Sequence, residues 1–289
     1  MRTTRPILAL ATLSLLTACG EDTVAPVATV VPETTLQPTA ESFGSRGELR
    51  TGWVRGPDGE PRQIVFEIQE GHAIFEGDID LGPAEAIAAS AADLAGGENH
   101  GVIINGSTRR WPGGVVPYVI DSSLPSQSRV TSAIAHIEAN TSGVDFVPRT
   151  NQSAYVVIRP GSGCSSSVGR TGSVQYVNLA SGCSTGNTIH ELLHALGMYH
   201  EQTRCDRDTY VTINTQNIQA GYEHNFTKQC TNATDVSTYA EGSIMHYGST
   251  AFSKNGLPTI VSKRGLTSQM GQRSGMNSTD ISTVNSMYP

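Results

Sequence analysis

No apolar run in the 289-residue chain approaches the roughly 18 residues that a membrane-spanning helix needs, so no such helix is expected. A basic excess is also missing. The 19 Lys and Arg stand against 26 Asp and Glu, for a net charge of −7, which argues against a nucleic-acid partner. Charged residues make up only 16%, too few for a coiled coil, and the 30 Gly show no collagen period. There is no internal repeat and no calcium-binding motif. Cys164, Cys183, Cys205 and Cys230 lack the short paired spacing of a zinc ribbon, so a cysteine-based metal site is not expected. What remains is a polar, loop-rich globular chain, long enough for one large domain or two smaller ones.

The charge is unevenly placed. Residues 20–100 hold 15 acids against 4 Arg, whereas residues 101–289 hold 11 acids against 13 Lys and Arg. An acidic leading piece beside a nearly neutral body reads as a tail or a regulatory segment. Residues 1–18 read as a signal peptide, with Arg2 and Arg5 before a short apolar stretch. Leu16-Thr17-Ala18-Cys19-Gly20 resembles a bacterial lipobox, which makes Cys19 the candidate lipidated residue and the only expected membrane attachment. Residues 19–45, rich in Thr, Val and Pro, read as a flexible linker. Export places the four remaining cysteines in an oxidising space, where an even count favours two disulfides in one of three pairings. Six N-x-[ST] sequons read as an Asn/Ser/Thr-rich surface.

The chemistry concentrates in residues 188–208, TIHELLHALGMYHEQTRCDRD. On a helix, His190 and His194 fall on one face, one turn apart. Glu191 lies beside them, within reach of a water held by the same metal. Gly197 then ends the helix, because glycine tolerates a left-handed turn, and the chain returns with His200. Three neutral imidazoles and a water make an open, catalytic zinc site rather than a closed structural one. Glu191 is the expected general base, taking the proton of a zinc-bound water and passing it to a leaving amine. H-E-x-x-H-x-x-G-x-x-H followed by a Met-turn is the metzincin pattern.

Beyond that pattern, the chain resembles the astacin family of zinc endopeptidases. The resemblance rests on His190 to Glu201 with the following TRCDRD, on SIMHYG at 243–248 and on AFSKNGLPTI at 251–260. It also rests on WPGGVVPY at 111–118, FVPR at 146–149, GQR at 271–273 and Asp280-Ile281. It covers residues 101–289 and implies an α+β, zincin-like catalytic domain. The N-terminal lobe would hold a twisted, mixed five-stranded sheet and two long helices, and the irregular C-terminal lobe one late helix. Residues 111–120, 155–158 and 173–179 are the expected strands, with 173–179 at the cleft edge, able to pair with an extended substrate. Residues 129–140 and 280–286 are the expected helices outside the histidine motif.

The resemblance assigns His190, His194 and His200 as ligands of one zinc ion and Met245 as an apolar floor. Tyr247 becomes a further ligand whose phenol swings to stabilise an oxyanion. It implies a Cys164–Cys183 disulfide, and the remaining Cys205 and Cys230 are then paired within the C-terminal lobe. The family's second usual disulfide has no counterpart, since Gly143 stands at one position and residues 286–289 contain no Cys. Phe75-Glu76-Gly77-Asp78 resembles the family's F-x-G-D propeptide motif, so residues 46–100 are expected to be an inhibitory propeptide whose Asp78 occupies the metal's open position. Cleavage is expected near residues 99–103, with the new N-terminus approaching Glu201. The expected product is a monomeric peptidase without downstream domains, acting on polypeptides and released from an envelope-bound precursor. Arg273 and Arg264, with Lys263, are candidates for a pocket that accepts an acidic residue after the scissile bond. The rival reading is a metal-bound but inactive polypeptide-binding lipoprotein.

Overall fold

The acidic segment folds into four strands: β1 (Glu48–Arg55), β2 (Pro61–Gln69), β3 (His72–Phe75) and β4 (Ile79–Pro83). They belong to a computed structural model that describes residues 47–56, 59–95 and 109–289. The expected signal peptide, Cys19, the linker to residue 45 and the expected cleavage region all lie outside the described residues. Alternation along β2 turns Ile64 and Phe66 inward, where they pack with Val54, Phe75 and Ile79. Two tight turns join β2 to β3 and β3 to β4. Glu70 and Gly71 have φ of 50° and 81°, and Glu76 and Gly77 have φ of 48° and 79°. Two successive left-handed residues suit the hairpin twist, but they place Glu76 in a conformation that side chains rarely adopt.

Five further strands follow: β5 (Val115–Ile120), β6 (Asp145–Pro148), β7 (Tyr155–Pro160), β8 (Cys164–Ser166) and β9 (Val174–Leu179). All nine join one sheet in the order β1-β2-β3-β4-β8-β9-β7-β5-β6. β5, β6, β7 and β9 run parallel, whereas β8 is antiparallel to β9. The five-stranded mixed sheet is therefore present, and the upstream strands extend it. The junction is a parallel contact of β4 with β8, Ile79 opposite Ser166. One expectation needs correction, because β9 lies between β7 and β8 and is not at the edge. The strand presented to the upstream segment is β8. Its three residues are too few to show an alternating pattern, and they read as loop.

Helix α1 (Ser128–Asn140) buries Val130, Ala133, Ile134 and Ile137, the spacing of one helical face. It packs with α2 (Thr185–Leu196), which carries the histidine motif and is buried along nearly its whole length. Ser184 caps α2 in a reciprocal pair with Asn187, and Gly197 ends it at φ 116°. After His200 the chain runs through short 3-10 turns and a two-stranded pair, β10 (Val211–Ile213) and β11 (Ile260–Ser262), to α3 (Ser278–Met287). This lobe has its own core around Phe226, Tyr239, Tyr247 and Phe252. Both disulfides, Cys164–Cys183 and Cys205–Cys230, are formed.

The missing family disulfide has a structural replacement. A Cβ on Gly143 would stand 1.9 Å from the carbonyl oxygen of Tyr288, so the backbones already touch where a cystine would sit. Tyr288 is itself buried, and its hydroxyl donates to Leu196 O at 2.7 Å and accepts from Trp111 N at 3.3 Å.

Candidate metal centre

Helix geometry brings His190 and His194 to one face, and the Gly197 turn returns His200 to them, with ring centroids 4.7 to 5.4 Å apart. The fourth member comes from the upstream segment. The turn at Glu76 and Gly77 projects Asp78 between the three rings. Its Oδ2 lies 3.3 Å from His190 Nε2, and its Oδ1 lies 3.1 Å from His200 Nε2 and 3.6 Å from His194 Nε2. One potential ligand atom from each residue falls within 4.8 Å of all the others.

The outer nitrogens fix which atoms face inward. His190 Nδ1 donates to Ile244 O at 2.8 Å and His194 Nδ1 to Met198 O at 2.7 Å. His200 Nδ1 donates to Glu76 Oε2 at 3.0 Å. All three Nε2 atoms therefore point at the centre, as they do where an outer hydrogen bond orients a metal-ligating imidazole. His190 Nε2, His194 Nε2, Asp78 Oδ1 and Glu191 Oε2 are buried without a hydrogen-bond partner. Such a convergence of orphaned acceptors is costly unless a cation satisfies it, and the donor set suits zinc.

Burial, then the Arg273 charge, lowers the His190 imidazole to about 3, which keeps it neutral and able to ligate. Burial also opposes charge on His200, but the Asp78 and Glu76 carboxylates outweigh it and lift that ring to about 9. Burial likewise works against charge on Asp78, yet the imidazoles, His200 foremost, hold its carboxyl well below the usual range. Glu191 goes the other way: burial and the nearby Asp78 charge raise its carboxyl.

The residues around the centre hold its shape. Met245 is fully buried in the core that also holds Leu192, Leu193 and Ile244. Asp280, at the start of α3, receives hydrogen bonds from Ser243 Oγ at 2.5 Å and Ile244 N at 3.0 Å, which pins the turn that holds His190. Glu201 is buried and accepts from Ala240 N at 2.8 Å, with Arg204 Nε at 3.8 Å, and burial raises its carboxyl to about 7. The Tyr247 ring lies against that of His200, centroids 4.6 Å apart, and its phenol donates to the backbone carbonyl of Glu76.

The candidate pocket residues separate. Arg273 stays near the centre, with Nη1 3.4 Å from His246 O. Arg264 is paired with the buried Glu241 and lies over the Tyr210 ring, and Lys263 Nζ donates to Asp208 O. Neither is brought to the histidines.

Two residues of the site escape sequence reasoning. The Glu76 carboxylate joins His200 to Gln229 Nε2, the latter at 2.6 Å. Gln202 Oε1 accepts from Tyr247 N at 3.0 Å. Glu76 sits inside a motif already singled out, but at its unspecified position.

Residues 103–289 match the family model described as Astacin, a family of peptidases. Zinc metalloproteinase nas-13 of Caenorhabditis elegans is 43% identical over 187 residues, 62% of this chain and 41% of the relative. Zinc metalloproteinase nas-15 of the same animal is 40% identical over 270 residues, 89% of this chain and 46% of the relative. The chain thus spans under half the length of these two relatives. Among solved structures, high choriolytic enzyme 1, a hatching enzyme zinc-protease from the medaka fish Oryzias latipes, superposes with a TM-score of 0.59 at 36% identity. That match covers 64% of this chain and 96% of the fish chain.

Proposed function

The chain belongs to the astacin family of peptidases, and on that premise we propose that it is the precursor of a zinc-dependent endopeptidase acting on internal peptide bonds of polypeptides. The observation that carries this reading is the buried convergence of His190, His194 and His200 on Asp78 of the chain's own upstream segment, with the buried Glu191 carboxyl close enough to feel the Asp78 charge. His190, His194 and His200 hold one zinc ion, which when bound supplies Lewis acidity for the scissile carbonyl and the attacking water.

Glu191 Oε2 accepts a proton from the water as its oxygen bonds to the carbonyl carbon. It delivers that proton to the amine nitrogen as the C–N bond breaks. Tyr247, once Glu76 has gone, offers its phenol to the developing oxyanion. Met245 and the Asp280-pinned turn keep the histidine face rigid.

Residues 46–100 act as an inhibitory propeptide, with Asp78 placed where the water would have to stand. Cleavage near residues 99–103 removes it, and the new ammonium terminus approaches Glu201. Arg273 remains the candidate for an acidic residue after the scissile bond. The reading as an exported monomer rests on residues 1–18 and on the family. Lipidation rests on the sequence around Cys19 alone, and the animal relatives lend it no support. If it occurs, the lipid sits on the propeptide, and cleavage releases the catalytic domain.

The test compares the full chain with Glu191→Ala, each before and after limited proteolysis that removes the upstream segment. Zinc content and cleavage of an unfolded protein are measured, with and without a chelator. Zinc in both, with chelator-sensitive cleavage only in the processed parent, is expected. Zinc without cleavage in either processed protein would replace this reading with a metal-bound polypeptide binder.

A further inference from the structure

Asp78 is not the only upstream carboxylate buried against the catalytic domain. Two residues further on, Asp80 is 3% exposed. Its own segment supplies His72 Nδ1 at 2.9 Å and Gly82 N at 2.8 Å. The catalytic domain supplies Asn178 Nδ2 at 3.3 Å, and Ser167 Oγ donates to the Asp80 carbonyl at 3.0 Å.

Behind Asp80 stands a small assembly on the sheet. Asn178 on β9 also donates to Ser165 Oγ at 3.0 Å, and its Oδ1 accepts from Arg159 Nε on β7 at 2.7 Å. The Arg159 guanidinium lies 3.7 Å above the centre of the Tyr176 ring. Nε is thus engaged and the plane is fixed, while the terminal nitrogens of Arg159 have no hydrogen-bond or ion-pair partner among the described residues. Arg159, Ser165 and Asn178 line one small cavity with His72, Gln69 and Glu70 of the upstream segment.

Removal of β1 to β4 takes away His72, Gly82 and Asp80 together. A pre-oriented guanidinium, an amide donor and an aromatic face remain, beside the vacated edge of β8. That chemistry recognises a carboxylate. An extended peptide added to β8 brings a side chain there about two residues from the bond at the metal, as Asp80 lies two residues from Asp78. We propose that Arg159, Asn178 and Tyr176 form a subsite that selects an acidic substrate residue on the sheet side of the cleft, away from Arg273. In the precursor Asp80 keeps its place. Asp80 makes no ion pair with Arg159, and a Glu side chain, one methylene longer, reaches further toward the guanidinium.

This inference rests on the endopeptidase reading. The test uses the full chain after removal of the upstream segment, together with Arg159→Gln, Arg159→Lys and Asn178→Leu. Each is given peptide pairs that differ only by Glu or Gln at successive positions around the scissile bond. The parent is expected to prefer Glu over Gln about tenfold in kcat/KM at one position, within about three residues of that bond. Arg159→Gln and Asn178→Leu collapse that ratio toward one, and Arg159→Lys retains part of it. General damage to the fold would slow both members of each pair equally and leave the ratio intact. An unchanged ratio in Arg159→Gln and Asn178→Leu, with cleavage persisting, overturns the subsite alone. A zinc-loaded parent that cleaves neither member of any pair overturns the endopeptidase reading, and the subsite falls with it.

Discussion

Glu201 is a buried carboxyl that bears on the processing proposed above. Burial is the chief reason that its carboxyl rises from 4.5 to about 7, and Arg204 only partly compensates. Between those two values the folded chain keeps a proton that the unfolded chain has released. Stability therefore falls as pH climbs through that window, by roughly 3 kcal/mol at most for this group. Other groups, His190 and Glu191 among them, titrate in the same window in both proteins, so the difference in urea-unfolding free energy between the full chain and Glu201→Gln is expected to change by about that amount from pH 4.5 to pH 7. Equal pH dependence in parent and variant would mean that Glu201 does not carry the effect. An ammonium terminus brought beside the carboxylate would favour its charged form and reverse the slope. At this scale the sequence was readable where spacing encodes geometry, as with His190, His194 and His200. It was silent on Glu76, because the value of that residue comes from a left-handed turn and from a contact with His200 across 124 positions. No local pattern reports either.

At the scale of elements, α2 was legible because the spacing of His190 and His194 and the glycine stop agree, although its Ser184 cap went unread. β8 was not, because three small polar residues acquire their strand identity only from neighbours on both sides. The attachment of α3 belongs to the same class. The absence of a cystine at Gly143 was visible in the sequence, but not what takes its place. Tyr288 reaches from the end of α3 to the last carbonyls of α2, the helix that carries two of the histidines. Tyr288→Phe removes one buried donor and leaves Leu196 O short of it, for an expected loss of about 1 kcal/mol. Tyr288→Ala also empties a core position and is expected to cost about 3 to 4 kcal/mol. Chemical denaturation measures both. Losses within about 0.5 kcal/mol of the parent for both variants would show that the C-terminal end does not fasten the helix.

For the molecule as a whole, the decisive feature is that the upstream segment is built into the sheet rather than laid over the cleft. Ser166 N donates to Asp78 O at 2.9 Å, so the residue that meets the histidines through its side chain also joins β8 through its backbone. These two roles can be separated. Asp78→Ala in the full chain removes the carboxylate but keeps the carbonyl and the four upstream strands, so hydrogen exchange at the Ser166 amide should stay slow. Removal of residues 46–100 takes away the acceptor and leaves β8 as an edge, and exchange there should rise at least about tenfold, which is about 1.4 kcal/mol of local stability. Amides between β5 and β7 in the sheet interior should stay protected in both cases. Fast exchange at Ser166 in Asp78→Ala would mean that the side chain at the metal centre, not strand pairing, holds the segment in place. Slow exchange after removal would mean that another part of the protein covers β8, and substrate addition at that edge would then have to displace it.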